Sequence, residues 1–452
     1  MFGFSRASVI AELLAVSICF SNAFAAVCNS TWIRSQADAD ALRRNCPIVI
    51  GHVGIGPFDG DSTVHINLDG IELIAGTLGE YPASRHEYST QPYYTLSSSS
   101  LRGVDAVEFG AYDTRIMNLT LPNLKRVNDY FEAGDYAYNL KYLDITSLDT
   151  ASTITLSAPN LTTLHHTRLR NVTKLHIHPM QINSLDSLTD NQLNLREATL
   201  EGPFPNVDNI PIGFTSAKYL IIKDNSSVTL GGSSTTAMAV EELRLSDGVT
   251  DLKRSAQVNT LEVDTLVISS SVDITRLELP FDNLRSFMIE RRAETHPMKS
   301  IILPPQALDW TGGFELHISS APELNLTSIY DHDEKGNRIQ TWYWPRNVSY
   351  IDMVDVTTGN AFFEPFVVQQ KAPLDSQFPP SALKTFRVIP SANSTHFNCT
   401  PFTELVDSGR LPSARSAMFC RNSTQPTSGT TRTHAPISLS AVSAFVIFAW
   451  ML

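Results

Sequence analysis

The chain reads as a mainly β protein, a right-handed parallel β-solenoid in which short strands stack coil upon coil. Three observations predict this. An apolar, two-spacer, apolar, one-spacer, apolar phrase is written six times, as VTKLHI from Val172, LREATL from Leu195, AKYLII from Ala217, VEELRL from Val240, VDTLVI from Val263 and LRSFMI from Leu284. Its fourth positions, Leu175, Ala198, Leu220, Leu243, Leu266 and Phe287, follow at intervals of 23, 22, 23, 23 and 21 residues. A second apolar track, Leu185, Val207, Val228, Val249 and Val272, advances in step with the first. A fixed period of this kind marks a stacked repeat, because one coil buries its apolar face only against its neighbours. Two tracks moving together require at least two strands per coil, which favours stacked parallel sheets over a strand-plus-helix horseshoe.

Taken in order, residues 1–25 carry Arg6, an apolar run from Ala7 to Phe20 and Ala23-Phe24-Ala25, the pattern of a secretory signal. SQADADALRRNC opens with Ser35 as an N-cap and has Asp38 three residues on. It predicts a short helix ending near Cys46 that covers the open first coil. From Ile48 onward short alternating apolar runs such as VHINLDGIELIAG are separated by Gly, Pro, Asn, Asp and Ser, and no long segment has helical periodicity. The period lapses between Phe58 and Arg102 and again between Ile329 and Tyr350, where insertions are expected to leave the coil as loops. A second phrase, in MNLTLPNLKRV and ITLSAPNLTTL, places proline where a turn between coils needs no ladder donor, with looser versions at Pro280 and Pro322. The asparagine that a leucine-rich horseshoe needs beyond its third apolar position occurs only as Asn225; Met180, Gly248, Ser271 and Arg292 stand in its place elsewhere.

GPFPNVDNIPIG lies near the middle, as a joint or as one decorated turn, and divides the solenoid into halves at 26–210 and 211–398. Residues 399–428 read as a disulfide-closed cap and a Ser/Thr-rich stalk. Residues 429–452 read as a GPI-anchoring signal, with the uncharged apolar tail Ile437 to Leu452 preceded by Ser428, Gly429 and Thr430. Ser428 is the expected attachment residue, and Asn422-Ser423-Thr424 is a second candidate triplet.

Once Cys19 leaves with the signal, four cysteines remain, and four allow three connectivities. The simplest is local, Cys28 with Cys46 and Cys399 with Cys420, each closing a short loop worth on the order of 3 kcal/mol. Sequons for N-glycosylation occur at Asn29, Asn118, Asn160, Asn171, Asn225, Asn325, Asn347, Asn393, Asn398 and Asn422, so turns and edges are expected to carry sugar. A formal net charge of −12 argues against nucleic acid as a partner.

Motifs with chemistry are sparse. DHDEKG, Asp331 to Gly336, has Lys335 at the fifth position of a calcium loop and Trp342 at the twelfth, so it reads as a solvated turn. His165, His166, His176 and His178 lack cysteine or carboxylate partners at ligand spacing. TWYW, Thr341 to Trp344, reads as a plug against the solenoid rather than as an exposed platform for sugars. Asp144, Asp149, Glu241, Glu242 and Glu262 lie in or near repeats, but spacing brings no pair to a glycosidase separation. No nucleophile elbow, zinc-protease motif or phosphate-binding glycine loop is present. The expectation is a chain with no catalytic, cofactor-binding or metal residues.

The signal, the segment CNSTWIRSQADADALRRNCPIVIGHVGI from Cys28, the apolar coils, the sequons and the GPI tail together resemble the fungal GPI-anchored cell-wall organisation proteins with receptor-L-domain-like solenoids. Ser35 to Cys46 looks like that family's first-coil cap. The resemblance implies a non-catalytic glycoprotein on the extracellular face of the plasma membrane or in the cell wall, needed for normal wall assembly. Its implied partners are the membrane, through the anchor, and wall glucan or other wall glycoproteins. Two other classes stay open. A receptor-like ectodomain for a secreted peptide or glycan predicts an exposed apolar or aromatic patch free of sequons. A β-solenoid carbohydrate-active enzyme predicts carboxylates about 5 to 10 Å apart in one groove.

Overall fold

A computed structural model describes residues 27–80, 91–110, 115–134, 137–166, 169–269, 271–290, 298–332, 335–373, 380, 383–394, 397–412 and 417–423. Within them the phrase of Val240 to Leu245 falls in the strand Ala237–Ser246, where Val240, Leu243 and Leu245 are buried and Glu241, Glu242 and Arg244 face outward. From Glu242 to Leu245 the strand alternates outward and inward, as the pleat requires, while the adjacent outward pair Glu241 and Glu242 breaks the alternation once.

Each copy of the phrase pairs in parallel with the copies before and after it. Leu175, Ala198, Leu220, Leu243, Leu266 and Phe287 are consecutive Cα partners, as the period predicts. The row then runs well past the six copies. Upstream it continues through Val53, Leu78, Val107, Phe131 and Ile154, and downstream through Leu316, Ile351, Phe386 and Met418. All of these but Met418 are 0% exposed. The result is one 17-stranded sheet from Val27–Ile33 to Met418–Cys420, in which every strand pair is parallel. The molecule is therefore a parallel β-solenoid.

The second face is assembled in pieces. Val64–Asn67, Tyr94–Ser97, Ile116–Thr120, Tyr142–Asp144 and Thr163–His165 form a five-stranded sheet. The helical turn Asp186–Thr189 interrupts it, and Asn209–Ile212, Ser227–Leu230 and Asp251–Arg254 make a three-stranded sheet beyond. Arg276–Glu278 and Ser300–Ile302 form the last pair. The second apolar track is buried but is not a single ladder. Val228 pairs with Ile210 and Leu252, three residues beyond the Val207 and Val249 that the spacing aligned with it. Val207 closes a turn instead, its N–H bonded to the Phe204 carbonyl at 2.9 Å.

Two further expectations are corrected. The span Phe58 to Arg102 is not one loop, since Val64–Asn67, Leu73–Glu80 and Tyr94–Ser97 stand in register in the two main sheets; residues 81–90 within it lie outside the described residues. The second insertion does leave the coil, as the antiparallel hairpin Tyr330–His332 and Arg338–Gln340. A helix at Asn360–Gln370 was not anticipated; Phe362, Phe363 and Phe366 share one buried face, but Ala361 and the exposed Val368 on the opposite side and Pro365 inside blur the amphipathic pattern.

Turns between coils use the Pro-Asn pairs. Leu124, Leu161 and Val207 close i to i+3 turns on Leu121, Ala158 and Phe204. In each, the asparagine amide donates to a backbone carbonyl of the preceding coil: Asn123 to Ser99 at 2.6 Å, Asn160 to Tyr138 at 2.6 Å and Asn206 to Gln181 at 2.8 Å. The leucine-rich asparagine position stays empty, and this second set of bridges ties neighbouring coils at another corner.

Both ends are closed. At the N-terminus, Ser35 Oγ accepts the Asp38 N–H at 3.2 Å while Asp38 accepts the Arg34 N–H at 2.9 Å, a reciprocal capping box on the helix Gln36–Asn45. Gln36 exchanges two hydrogen bonds with the Asn67 backbone on the outer strand of the five-stranded sheet, which satisfies part of an otherwise open edge. At the C-terminus, Phe362, Phe363, Phe386, Phe397 and Phe402 form a ring cluster under the helices Asn360–Gln370 and Thr400–Asp407. One connected apolar core runs from Ile33 to Leu411, and the expected division at residue 210 falls inside the strand Asn209–Ile212.

Candidate functional site

Cys28 is joined to Cys46 and Cys399 to Cys420, the local pairing of the three that four cysteines allow. Each bond ties the terminal strand of the long sheet to the start or end of a capping helix. Of the ten sequon asparagines, Asn29, Asn160, Asn171, Asn225, Asn325, Asn347, Asn393 and Asn398 are exposed, and Asn118 and Asn422 are half-buried. In two of them the threonine is already folded back: Asn325 Oδ1 accepts the Thr327 N–H and hydroxyl, and Asn398 Oδ1 accepts those of Thr400. Both Asx turns leave the amide nitrogen on the solvent side of an exposed residue. Ser428, the signal 1–25 and the tail 429–452 lie outside the described residues.

The outward face of the long sheet carries ion pairs between coils and, for Arg244 with Glu242, within one strand. Lys174 meets Glu197 at 3.5 Å, Lys218 meets Glu241 at 3.8 Å, and Arg244 meets Glu242 at 3.3 Å and Glu290 at 2.8 Å. These groups are substantially solvated, so each pair contributes at most about 1 kcal/mol. Two of the acids singled out in the repeats, Glu241 and Glu242, are thus engaged with basic neighbours. Asp144 instead closes an Asx turn on Thr146, and Asp149 accepts the Thr150 hydroxyl.

The four histidines are not brought together. His165 ends a second-face strand, whereas His176 lies in the long-sheet strand Asn171–Ile177 and His178 just beyond its end. His166 is enclosed, with Nε2 2.9 Å from the Leu148 carbonyl and Nδ1 3.3 Å from that of Ser187. Burial holds its pKa below the ordinary imidazole value, against the pull of both carbonyls. Among the described residues no cluster of three or more metal-capable side chains occurs. Trp342 and Trp344 are 1% and 4% exposed, packed edge-on against each other and against Phe362, so TWYW is a plug.

An outward groove with an exposed aromatic wall lies on the first coils. The register shift between Asn29 and Thr31 sets Gly51 and His52 opposite Ser30 alone, so a bulge lies in the strand Ile48–Ile55, where the Gly51 φ of +109° needs glycine. Beyond it, Trp32, Gly54, Gly79, Glu108 and Glu132 are successive partners in one outward row. The Cε3–Cζ3 edge of the indole packs on Gly54: a Cβ there would sit 1.7 Å from those two ring carbons. Past Gly79, Tyr130 Oη donates to Glu108 at 3.0 Å. Burial, that bond, and the charges of Glu108, Glu132 and Asp129 push the Tyr130 pKa up to about 12, so the phenol keeps its proton. Trp32, His52, Gly79, Glu108 and Tyr130 line a groove of about 360 Å³. Sequence reasoning missed it, because the lengthened coils hide the alignment of Trp32 with the two glycines. No protein-family model, curated protein or solved structure matches the chain.

Proposed function

We propose that this chain is a GPI-anchored extracellular glycoprotein with a non-catalytic role in fungal cell-wall organisation and integrity, resident on the outer face of the plasma membrane or in the wall. The observation that carries the reading is that two disulfides close the two ends of a solenoid on which no sequon asparagine is buried. Disulfides and N-glycans belong to the secretory route, and a rod closed at both ends resists unravelling from either. Deletion in the native fungus is expected to raise sensitivity to wall-binding dyes and to change wall sugar composition; a normal wall would refute the role. A GPI-specific phospholipase should release the chain from membranes, or a glucanase from walls, and release by neither would refute the anchor.

A second reading, a glycan-binding ectodomain, is favoured by the groove at Trp32, although Asn29 places a sequon in the same strand. An enzyme would need its acids there too, where Glu108 and Glu132 are register partners on strands about 4.8 Å apart. Sugar release from glucan by the wild-type chain, lost in Glu108→Gln, would favour the enzyme over both.

A further inference from the structure

Trp32 is 41% exposed on the outward face of the first coil, braced on the buried Gly54. An indole carries more apolar area than any other side chain, and the part of this ring that stays in water is area a ligand can cover. The groove beside it has three kinds of surface. The ring supplies a flat apolar wall at one end, Gly79 leaves the floor without a side chain, and Glu108 with Tyr130 supplies an acceptor and hydroxyl pair at the other end. His52 is exposed along the side.

That lining discriminates between ligand classes. No lysine or arginine is among the residues described around the groove, and Glu108 would repel a phosphate or a uronic acid. A wholly apolar ligand would leave the carboxylate and phenol desolvated and unpaired. A pyranose whose ring hydroxyls are all equatorial meets both demands. Its face of axial C–H bonds is apolar and stacks on an indole, while its edge presents hydroxyls to the carboxylate and the phenol. An axial hydroxyl, as in mannose, breaks that flat face. A volume of about 360 Å³ is near the lower end for small-ligand sites, enough for a short stretch of such a chain.

We propose that the groove bounded by Trp32, Gly79, Glu108 and Tyr130 binds a β-linked polymer of gluco-configured pyranoses, with the indole as its stacking platform. This inference deepens the extracellular reading given above, by naming a partner and the site that holds it. The test is calorimetric titration of the purified full-length glycoprotein in detergent with a β-1,3-linked glucohexaose, a chitohexaose, a mannohexaose and a hexagalacturonate. Binding to one or both of the first two, with at least tenfold weaker binding in Trp32→Ala, is expected, and the stronger of the two identifies the source polymer. Glu108→Gln, nearly isosteric and exposed, should weaken binding several-fold with an unchanged melting temperature, and it keeps the test valid if Trp32→Ala fails to fold. Trp32→Phe should bind with intermediate affinity.

Binding to neither gluco chain overturns the proposal, as does equal affinity in wild type, Trp32→Ala and Glu108→Gln, or preference for the mannan or uronate probe. Binding that appears only in Asn29→Gln would mean that the chain's own glycan fills the groove, and would also overturn it. These outcomes are independent of the deletion phenotype: a normal wall with intact glucan binding removes the cellular role alone, and an altered wall without binding removes the groove proposal alone.

Discussion

Replacing Leu243 with alanine tests the stacking argument at its centre. The side chain is 0% exposed, and its Cα partners Leu220 and Leu266, on the coils either side, are equally buried. The substitution removes three carbon groups, about 2.4 kcal/mol of transfer free energy at about 0.8 kcal/mol each. The cavity left between two coils adds to that, giving an expected loss of about 3 to 4 kcal/mol. In a solenoid this loss falls on the two interfaces the coil makes rather than on the whole chain. A single melting temperature is therefore a poor readout, and native-state hydrogen exchange is the assay. Amides in Ser216–Lys223, Ala237–Ser246 and Thr260–Ile268 should exchange about 100- to 1,000-fold faster, and those near either disulfide should not. Glu241→Ala is the control two residues away, its side chain 63% exposed and paired with Lys218 at 3.8 Å. It should change exchange by no more than about 0.5 kcal/mol. A loss below about 1 kcal/mol for Leu243→Ala, or equal effects of the two variants, would refute the view that the inward row holds the coils together.

Further expectations follow from the ends, the turns and the buried imidazoles. Cys28→Ser with Cys46→Ser opens a loop closed at a sequence separation of 18 and should cost about 3 kcal/mol; limited proteolysis should then cut first between residues 27 and 55, and unchanged resistance there would count against the cap. Asn123→Ala removes a bridge to the Ser99 carbonyl and should cost about 1 kcal/mol in urea unfolding, while Asn123→Asp, which cannot donate, should cost at least as much. His166, His176 and His317 all have pKa values lowered by burial, so the unfolded chain binds more protons than the folded one as pH falls through about 6.5. Stability should be full above that value and decline below it toward the folded pKa values. The melting temperature of His166→Gln should vary less with pH between 7 and 5, and an identical pH profile would argue against a buried neutral imidazole.

The inward row was legible in the sequence because five consecutive intervals have nearly equal length, so that Leu175 through Phe287 align by counting. The cap helix was legible because its signals are local: the Ser35 hydroxyl donates to the Asp38 carboxylate and accepts the Asp38 N–H within one turn. The disulfides were a simpler inference, since cysteines grouped in pairs at the two ends favour local closure. Counting failed where coils lengthened. Between Leu78 and Val107, and again from Phe287 to Leu316 and Ile351, more residues separate successive strands, and the strands keep their pairing.

What the sequence determined by itself is therefore the class of fold, the burial of one side of each strand and the chemistry of the two ends, all of which depend on residues close together or evenly spaced. Tertiary structure alone decided the rest. The aromatic cap gathers Trp342, Trp344, Phe362, Phe386 and Phe402 from separate segments, and none of these marks its partners locally. The groove likewise needs Trp32, Gly54, Gly79, Glu108 and Tyr130 on five consecutive coils of unequal length. Stacking is set by hydrogen bonds between strands and not by the number of residues in a turn, so an outward site built across coils becomes visible only when the register itself is known.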